Sequence, residues 1–116
     1  MNDSETPVVA LRELVEAFVS ARNWEQFHAP KNLSMALAIE AAELMEHFQW
    51  LSVEESREIA SQPEELEKVR EELADVVCYA LALANSLDID VTTAMRDKMR
   101  KNEQKYPASQ YRGRYR

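Results

Sequence analysis

The sequence predicts an all-α protein, and three observations support this fold class. The 116 residues include one glycine and four prolines, so few positions interrupt a helix. Alanine, leucine, glutamate, methionine and arginine, which favour helices, are abundant. Apolar residues recur at helical spacing along most of the chain. We therefore expect four main helices and one short one, arranged as an antiparallel four-helix bundle in a single domain.

The first helix is expected over residues 7 to 22. Thr6 is a candidate N-cap, and Pro7 suits the first helical position because its fixed φ matches the helix and its missing N–H has no partner there. The apolar residues of this segment recur at helical spacing: Leu11, Leu14, Val15, Phe18 and Val19.

Two further helical segments are expected before residue 62. A proline interrupts the first pattern, and Asn32 can cap a second helix that runs to about Gln49. Ser52 and Glu55 have the spacing of a capping box, in which each side chain accepts a hydrogen bond from the other residue's backbone N–H. This box predicts a short helical turn near residues 53 to 60.

A long third helix is expected to begin at Pro63 and to continue through an apolar run to about Leu87. Either Asp88 or Asp90 can cap the fourth helix, which ends before Pro107. Because these connections are short, successive helices are expected to run antiparallel.

Charge is unevenly distributed along the chain, whose formal net charge is −7. Residues 1 to 106, interpreted as one helical domain, carry a net charge of −10, whereas residues 107 to 116 form a basic tail that we expect to be extended. The tail alternates aromatic and cationic side chains, as arms that bind nucleic acid do: Tyr111, Arg112, Arg114, Tyr115 and Arg116. Three arginines are too few to offset the acidic domain, so no nucleic-acid partner is expected. The tail is expected to cover an acidic neighbour or to reach toward substrate phosphates.

Cysteine usage and the absence of targeting segments point to the cytoplasm. Cys78 is the only cysteine, which excludes an intramolecular disulfide, and its place in an apolar run favours a packing role. The N-terminal residues lack the basic and apolar regions of a signal peptide, and no apolar run approaches the ~20 residues of a membrane span. We expect a soluble, cytoplasmic protein.

Two of the long helices carry carboxylate pairs within apolar runs. In the second helix Glu40 and Glu43 are the only charged residues between 33 and 45, and in the third helix Glu72 and Asp75 lie at the start of an apolar run. The i, i+3 spacing of both pairs places their Cβ atoms ~5–6 Å apart on one helical face. Ionised carboxylates in apolar surroundings are costly unless they are paired or bind a metal, and neither run contains a lysine or arginine. We therefore expect the four carboxylates to converge on a divalent cation.

Mg²⁺ is the expected cation, with Mn²⁺ as a possible substitute, because both prefer oxygen ligands. Mg²⁺ also accepts substrate phosphates as ligands, so such a site suits the hydrolysis of a polyphosphate. A di-iron site would need Glu-x-x-His pairs on two inward-facing helices, and the only such match, Glu25 with His28, lies in a predicted loop. From spacing alone, an ordinary acidic helix surface remains the alternative.

Longer segments of the chain resemble a known family. The segments RNWEQFHAPKNLSMALAIEAAELMEHFQW, EELADVVCYALALANSLDID and KMRKNEQKYP resemble, in this order, the MazG-like all-α nucleotide pyrophosphohydrolases, and most nearly their short, single-domain dCTP pyrophosphatase branch. The resemblance extends from about residue 11 to residue 107. It implies the all-α NTP pyrophosphatase fold and Mg²⁺-dependent cleavage of a (deoxy)nucleoside triphosphate to the monophosphate and pyrophosphate. The implied substrate is dCTP or a related pyrimidine dNTP.

The resemblance also implies roles for individual residues. The metal ligands are the same four carboxylates: Glu40, Glu43, Glu72 and Asp75. The residues implied to meet the phosphates or sugar from the fourth helix and its end are Lys98, Asn102 and Tyr106. Those implied to surround the base and deoxyribose are Trp24, Trp50 and Tyr79. In the expected mechanism the carboxylates that act in catalysis are Glu40, Glu43 and Glu46, and either of the last two can take the proton of the attacking water.

The base preference stays open. Animal members of the branch carry a histidine on the first helix that touches the base, and the corresponding position here is Val15. His28 and His47 are the nearby polar candidates. The alternative substrates are dUTP, a broad range of dNTPs or modified pyrimidine nucleotides, and a non-catalytic helical module that binds a nucleotide or metal is the alternative of another class.

Family members form dimers, or tetramers of two dimers, and the wide apolar faces of the second and third helices agree with a homo-oligomer, which we expect to be a tetramer.

Overall fold

The computed structural model describes residues 1 to 114, and these residues form helices without any β-strand, which confirms the predicted all-α class. The six α-helices, in chain order, are α1 (Val8–Ala21), α2 (Pro30–Glu46), α3 (Val53–Arg57), α4 (Pro63–Leu87), α5 (Val91–Lys105) and α6 (Ala108–Tyr111). Single 3-10 turns follow α1 at Glu25–Phe27 and α3 at Glu58–Ser61.

Helix α4 is the centre of the fold, and both α1 and α2 pack against it. The small buried core lies between these helices and the turn after α3; its members are Val19, Leu33, Ile59, Leu81, Ala82 and Ala84. Helix α4 therefore contributes side chains to two separate contacts, one with α1 and one with α2.

The end of α4 sets the direction of α5. Asp88 adopts the left-handed conformation (φ 52°), and the N–H of Ile89 donates to the carbonyl of Ala84 at 2.9 Å, as in a Schellman motif. Asp90 then caps α5 by accepting a hydrogen bond from the N–H of Thr93 at 3.0 Å. With this short connection α5 turns by 102° from α4, whereas an antiparallel return was expected from its length.

The first two helices begin slightly differently from the sequence expectation. Pro7 is the N-cap of α1, and Thr6 forms no cap. Helix α2 begins at Pro30, so Asn32 lies inside the helix and does not cap it. The side-chain amide of Asn32 donates instead to the carbonyl of Phe27 at 3.3 Å, which ties α2 to the preceding 3-10 turn.

The predicted capping box is present at the start of α3. The N–H of Glu55 donates to the Ser52 hydroxyl at 3.1 Å, and the N–H of Ser52 donates to the Glu55 carboxylate at 3.0 Å. Hydrogen bonds from the backbone and side chain of Ser52 to the carboxylate lower the pKa of Glu55.

The basic tail is not fully extended, because α6 occupies its first part with Pro107 at the N-cap. The ring of Tyr111 packs edge-on against that of Tyr106, with centroids 5.2 Å apart, and this contact folds the tail back onto the end of α5. Tyr115 and Arg116, the last residues of the predicted tail, lie outside the described residues.

Helix α5 makes no extensive contact with α1, α2 or α4 within the described chain. The Cα radius of gyration is 17.1 Å, whereas a compact domain of this length has ~13 Å.

Taken singly, no helix in residues 1 to 114 is long and apolar enough to cross a membrane; α4 and α5 pass that test only together, across their bend.

Candidate active site

Three glutamates from two helices form an acidic cluster where α2 meets α4. Glu40 and Glu43 lie one turn apart on α2, and Glu72 lies on α4. One carboxylate oxygen from each residue lies within 4.8 Å of those from the other two. The structure thus brings together three of the four carboxylates that the sequence singled out.

The acidic cluster is partly buried, and no lysine or arginine in residues 1 to 114 forms an ion pair with it. The Oε2 atoms of Glu40 and Glu72 are buried without a hydrogen-bond partner. Burial raises the pKa of Glu40 to about 7, reinforced by the hydrogen bond and charge of Glu43 and by the charges of Asp75 and Glu72. Burial and the charge of Glu43 likewise raise the pKa of Glu72.

These properties fit a divalent cation. A buried carboxylate oxygen without a partner carries a desolvation cost, and a cation bound by both Oε2 atoms would offset this cost and the mutual repulsion. A donor set made only of carboxylate oxygens is the type that Mg²⁺ and Mn²⁺ accept. The acidic cluster is therefore a candidate metal site.

Asp75 lies one turn beyond Glu72 on α4 and outside the acidic cluster. The sequence interpretation placed it facing inward with the other carboxylates, but its side chain is exposed and borders a neighbouring pocket. Its charge still reaches the cluster, because it contributes to the raised pKa of both Glu40 and Glu72. Asp75 is thus the residue that joins the cluster to the pocket.

An apolar pocket of about 380 Å³ lies between α1 and α4, and we call it the α1–α4 pocket. Its volume is within the range of small-molecule sites, ~300–1,000 Å³. The wall from α1 consists of Leu14, Val15, Phe18 and Val19. The wall from α4 consists of Asp75, Cys78, Tyr79 and Ala82. Trp24 and His28, from the segment between α1 and α2, complete the lining.

The end of α1 places Trp24 in this pocket. Asn23 adopts the left-handed conformation (φ 51°), and the N–H of Trp24 donates to the carbonyl of Val19 at 3.1 Å, so α1 ends in a Schellman motif. The Trp24 ring packs edge-on against Phe18, with centroids 5.6 Å apart and an interplanar angle of 75°. Trp24 is therefore fixed by the backbone and by an aromatic neighbour, which leaves a defined indole surface for a ligand.

Of the residues predicted to contact the nucleotide, the structure brings Trp24, His28 and Tyr79 together in the α1–α4 pocket. Val15 lines the same pocket, so an apolar side chain stands where the family resemblance leads one to expect a histidine. The polar groups available to a bound base therefore come from the segment before α2 and from α4.

The other predicted residues lie away from this pocket within the described chain. Trp50 follows α2 and is 87% exposed. Lys98 and Asn102 lie on α5, and Tyr106 lies at its C-terminal end. The two remaining candidates near the end of α2, Glu46 and His47, belong neither to the acidic cluster nor to the pocket lining.

Two pocket features were missed by reasoning from sequence. Cys78 was expected to be a packing residue but is exposed and lines the pocket. Partial desolvation there and the charge of Asp75 raise its pKa and favour the neutral thiol. The apolar stripe of α1 was used only to predict the helix, but Leu14 and Phe18 also line the pocket. One signal in the sequence could have found both features: these residues lie at helical spacing from residues already assigned to the site.

Comparisons with known proteins identify the family of this chain. Residues 35–114 match the model of the MazG-like family. The chain is 45% identical over 103 residues to rat dCTP pyrophosphatase 1 (Rattus norvegicus), covering 89% of this chain and 61% of that protein. It is 42% identical over 98 residues to the human protein of the same name (Homo sapiens), covering 84% of this chain and 58% of that protein. The chain thus spans about three fifths of the length of these curated relatives.

A solved structure is similar over nearly the whole chain. The crystal structure of a pyrophosphatase from Archaeoglobus fulgidus superposes with a TM-score of 0.79 at 38% identity, covering 92% of this chain and 98% of that one. The family match includes the acidic cluster and the α4 wall of the pocket. This chain belongs to the MazG-like family.

Proposed function

We propose that this protein is a nucleotide pyrophosphohydrolase that cleaves a pyrimidine deoxynucleoside triphosphate, with dCTP as the first candidate, to the monophosphate and pyrophosphate. One observation carries the proposal: Glu72, Asp75 and Tyr79 follow one another at i, i+3 and i+7 on α4, so one helical face runs from the acidic cluster into the apolar pocket. A bound nucleotide needs a metal site for its triphosphate directly beside an apolar pocket for its base, and this face of α4 joins the two. The names of the rat and human relatives support the choice of substrate.

The acidic cluster is proposed to hold Mg²⁺, with Mn²⁺ as a substitute. Glu40 and Glu72 supply the two buried oxygens without partners, Glu43 supplies a third carboxylate, and Asp75 is the fourth at the pocket edge. When bound, the metal supplies Lewis-acid activation of the phosphates and lowers the pKa of a water molecule.

The remaining steps belong to side chains of the protein. Glu43 is the proposed acceptor of the water proton, because it lies in the acidic cluster and Glu46 does not. Trp24 is proposed to stack on the base, an interaction of ~1–3 kcal/mol that tolerates any base. His28 and Tyr79 are the proposed polar contacts to the base and sugar, since both line the same pocket.

A second copy of the chain is proposed to complete the site. Trp50, Lys98 and Asn102 do not reach the pocket of their own chain, and α5 extends from the other helices. Along α5 the apolar side chains of Met95 and Met99 are 60% and 54% exposed. Other large apolar side chains exposed on α2 and α4 are Met35, Ile39, Leu73 and Val77. A dimer, or a tetramer of two dimers, would cover these faces.

The decisive experiment is a nucleotide panel. The four common dNTPs, dUTP and 5-methyl-dCTP are each incubated with the protein and Mg²⁺, and pyrophosphate and orthophosphate are both quantified. We expect pyrophosphate as the first product, fastest from a pyrimidine dNTP, and loss of more than about 100-fold in rate for Glu40→Gln and for Asp75→Asn. Glu67→Gln is the matched control, because Glu67 is an exposed glutamate on the same helix, α4, and within residues 1 to 114 its only ion pair is with Arg70 on the surface.

Three outcomes contradict the proposal in different ways. Orthophosphate as the first product overturns the cleavage position. Near-normal rates in Glu40→Gln and Asp75→Asn overturn the assignment of the site. Tight nucleotide binding without turnover on any nucleotide favours the non-catalytic binding module.

A further inference from the structure

A half-buried polar contact links α1 to the C-terminal end of α4. The guanidinium of Arg12 donates from Nε to Oδ1 of Asn85 at 2.9 Å, from Nη1 to the carbonyl of Ile89 at 2.6 Å and from Nη2 to the carbonyl of Ala84 at 3.3 Å. Asn85 returns a bond from Nδ2 to the carbonyl of Arg12 at 3.1 Å. We call this contact the Arg12–Asn85 junction.

The junction connects three helices. Ala84 and Ile89 carry carbonyls at the C-terminal end of α4, where the helix dipole favours a positive charge. The charge of Arg12 also reaches Asp90, the N-cap of α5, where it adds to the hydrogen bonds from Thr93 that lower the pKa of that carboxyl. Arg12 is therefore located where α1, the end of α4 and the start of α5 meet.

The junction lies directly beyond the α1–α4 pocket. Val15, on the pocket wall, is three residues after Arg12 on α1, and Ala82, on the opposite wall, is three residues before Asn85 on α4. Less than one helical turn, about 4.5 Å along the axis, therefore separates the junction from the pocket on each side. The pocket walls are mostly apolar and contribute little directional restraint. Four hydrogen bonds join α1 to the end of α4, three of them to α4 itself and one to Ile89 just after it, and they set both spacing and rotation.

We propose that the Arg12–Asn85 junction is a positioning device for the pocket: it holds α1 at the distance from α4 that admits a nucleotide base. Neither side chain lines the pocket, so both act through the helices that they connect. This inference rests on the proposed nucleotide function of the pocket.

The test uses Arg12→Lys, Asn85→Ala and the double variant in the full-length protein. Lysine keeps the positive charge but lacks the planar guanidinium that donates three hydrogen bonds at once. Without the junction, α1 is expected to leave its pocket-forming position for most of the time. If it occupies that position only a tenth of the time, the apparent affinity for the nucleotide falls about tenfold. We expect KM for the preferred nucleotide to rise about tenfold in each single variant with kcat within twofold. The double variant should show little further change, because both substitutions break one contact.

The matched controls are Glu13→Ala and Ser86→Ala. Each is the sequence neighbour of a junction residue and is exposed; the Ser86 hydroxyl bonds only within its own helix. Both controls should keep the wild-type KM. A lower unfolding temperature and a lower kcat with unchanged KM in Arg12→Lys and Asn85→Ala would show a merely structural role and overturn the proposal.

A second measurement does not depend on turnover. In a Trp50→Phe background Trp24 is the only tryptophan, and its acrylamide quenching reports how tightly α1 closes the pocket. We expect stronger quenching in Arg12→Lys than in the Glu13→Ala control without any nucleotide present. If the wild-type protein hydrolyses no nucleotide, the proposed function fails, whereas unchanged quenching in Arg12→Lys overturns the junction itself.

Discussion

Glu40 makes the stability of the metal-free protein depend on pH. Its pKa is about 7 in the folded state, against an ordinary value of 4.5, so the folded protein takes up a proton more readily than the unfolded chain does. The stability from this group is fully present below pH 4.5 and is lost as pH rises through about 7. With EDTA present, the unfolding temperature of the wild-type protein should fall across this range by more than that of Glu40→Gln.

The same proton would compete with the proposed metal. Because a cation binds the ionised carboxylate, the stabilisation of the wild-type protein by added Mg²⁺ should grow as pH rises through about 7. Glu40→Gln should show a much smaller Mg²⁺ effect at every pH. Parallel unfolding curves for wild type and Glu40→Gln in EDTA would contradict the pKa assigned to this group.

Single residues differ in how well the sequence alone predicts their place in a site or contact. Glu40, Glu43 and Glu72 were visible because local spacing and burial cost identify carboxylates on apolar helices. Arg12 was not, because its partner Asn85 is 73 residues away and no local pattern connects them. Chemistry that depends on one helix face can be read from sequence, whereas contacts that depend on the relative placement of helices cannot.

At the scale of elements, the left-handed end of α4 stores strain that glycine would remove. Asp88 has φ 52° at the negative end of the helix dipole, so both its backbone conformation and its charge are unfavourable there. We expect Asp88→Gly to raise the free energy of unfolding by about 0.5–1 kcal/mol. Urea denaturation of the two proteins at matched pH and salt measures the difference.

Asp88→Asn is the matched control, because it removes the charge and keeps a side chain that tolerates the left-handed conformation. It should recover only part of the gain. A valine at this position should be destabilising, since a β-branched side chain is strained at positive φ. Destabilisation by Asp88→Gly would show that the carboxylate has a stabilising partner and would refute the strain argument.

The helix ends show why some elements were predicted well. The Ser52–Glu55 capping box and the Asp90 cap depend on residues within one turn. The box formed as the sequence indicated, and Asp90 is the cap of the two candidates, Asp88 and Asp90, that the sequence offered. The 102° turn into α5 was not predicted, because short connections favour antiparallel neighbours in general. Here the left-handed Asp88 and the immediate cap at Asp90 set another direction.

At the scale of the whole molecule, the single chain leaves its proposed active site incomplete. The acidic cluster and the α1–α4 pocket adjoin each other, but the candidate phosphate contacts Lys98 and Asn102 lie on a helix that departs from both. The sequence predicted these residues individually from the family resemblance. Their location relative to the pocket could not be predicted, because it depends on the direction in which α5 leaves α4.

A dimer with shared sites makes a quantitative prediction for mixed variants. Glu40→Gln disables the acidic cluster of its own chain, and Lys98→Ala disables the helix that it would supply to the partner. After the two inactive variants are denatured together and refolded, half of the dimers are mixed, and each mixed dimer regains one intact site of two. We expect about a quarter of the wild-type activity, measured as pyrophosphate release, with light scattering at micromolar concentration to confirm dimers or tetramers.

The mixture of Glu40→Gln with Glu72→Gln distinguishes shared sites from mere dimerisation. Both substitutions affect the same acidic cluster within one chain, so every cluster in any mixed dimer is disabled and no activity should return. Recovery in the first mixture but not in the second requires that Lys98 act on the partner's cluster. If the first mixture stays inactive while light scattering shows dimers, Lys98 and the cluster act within one chain, and α5 must then close onto its own pocket when substrate binds.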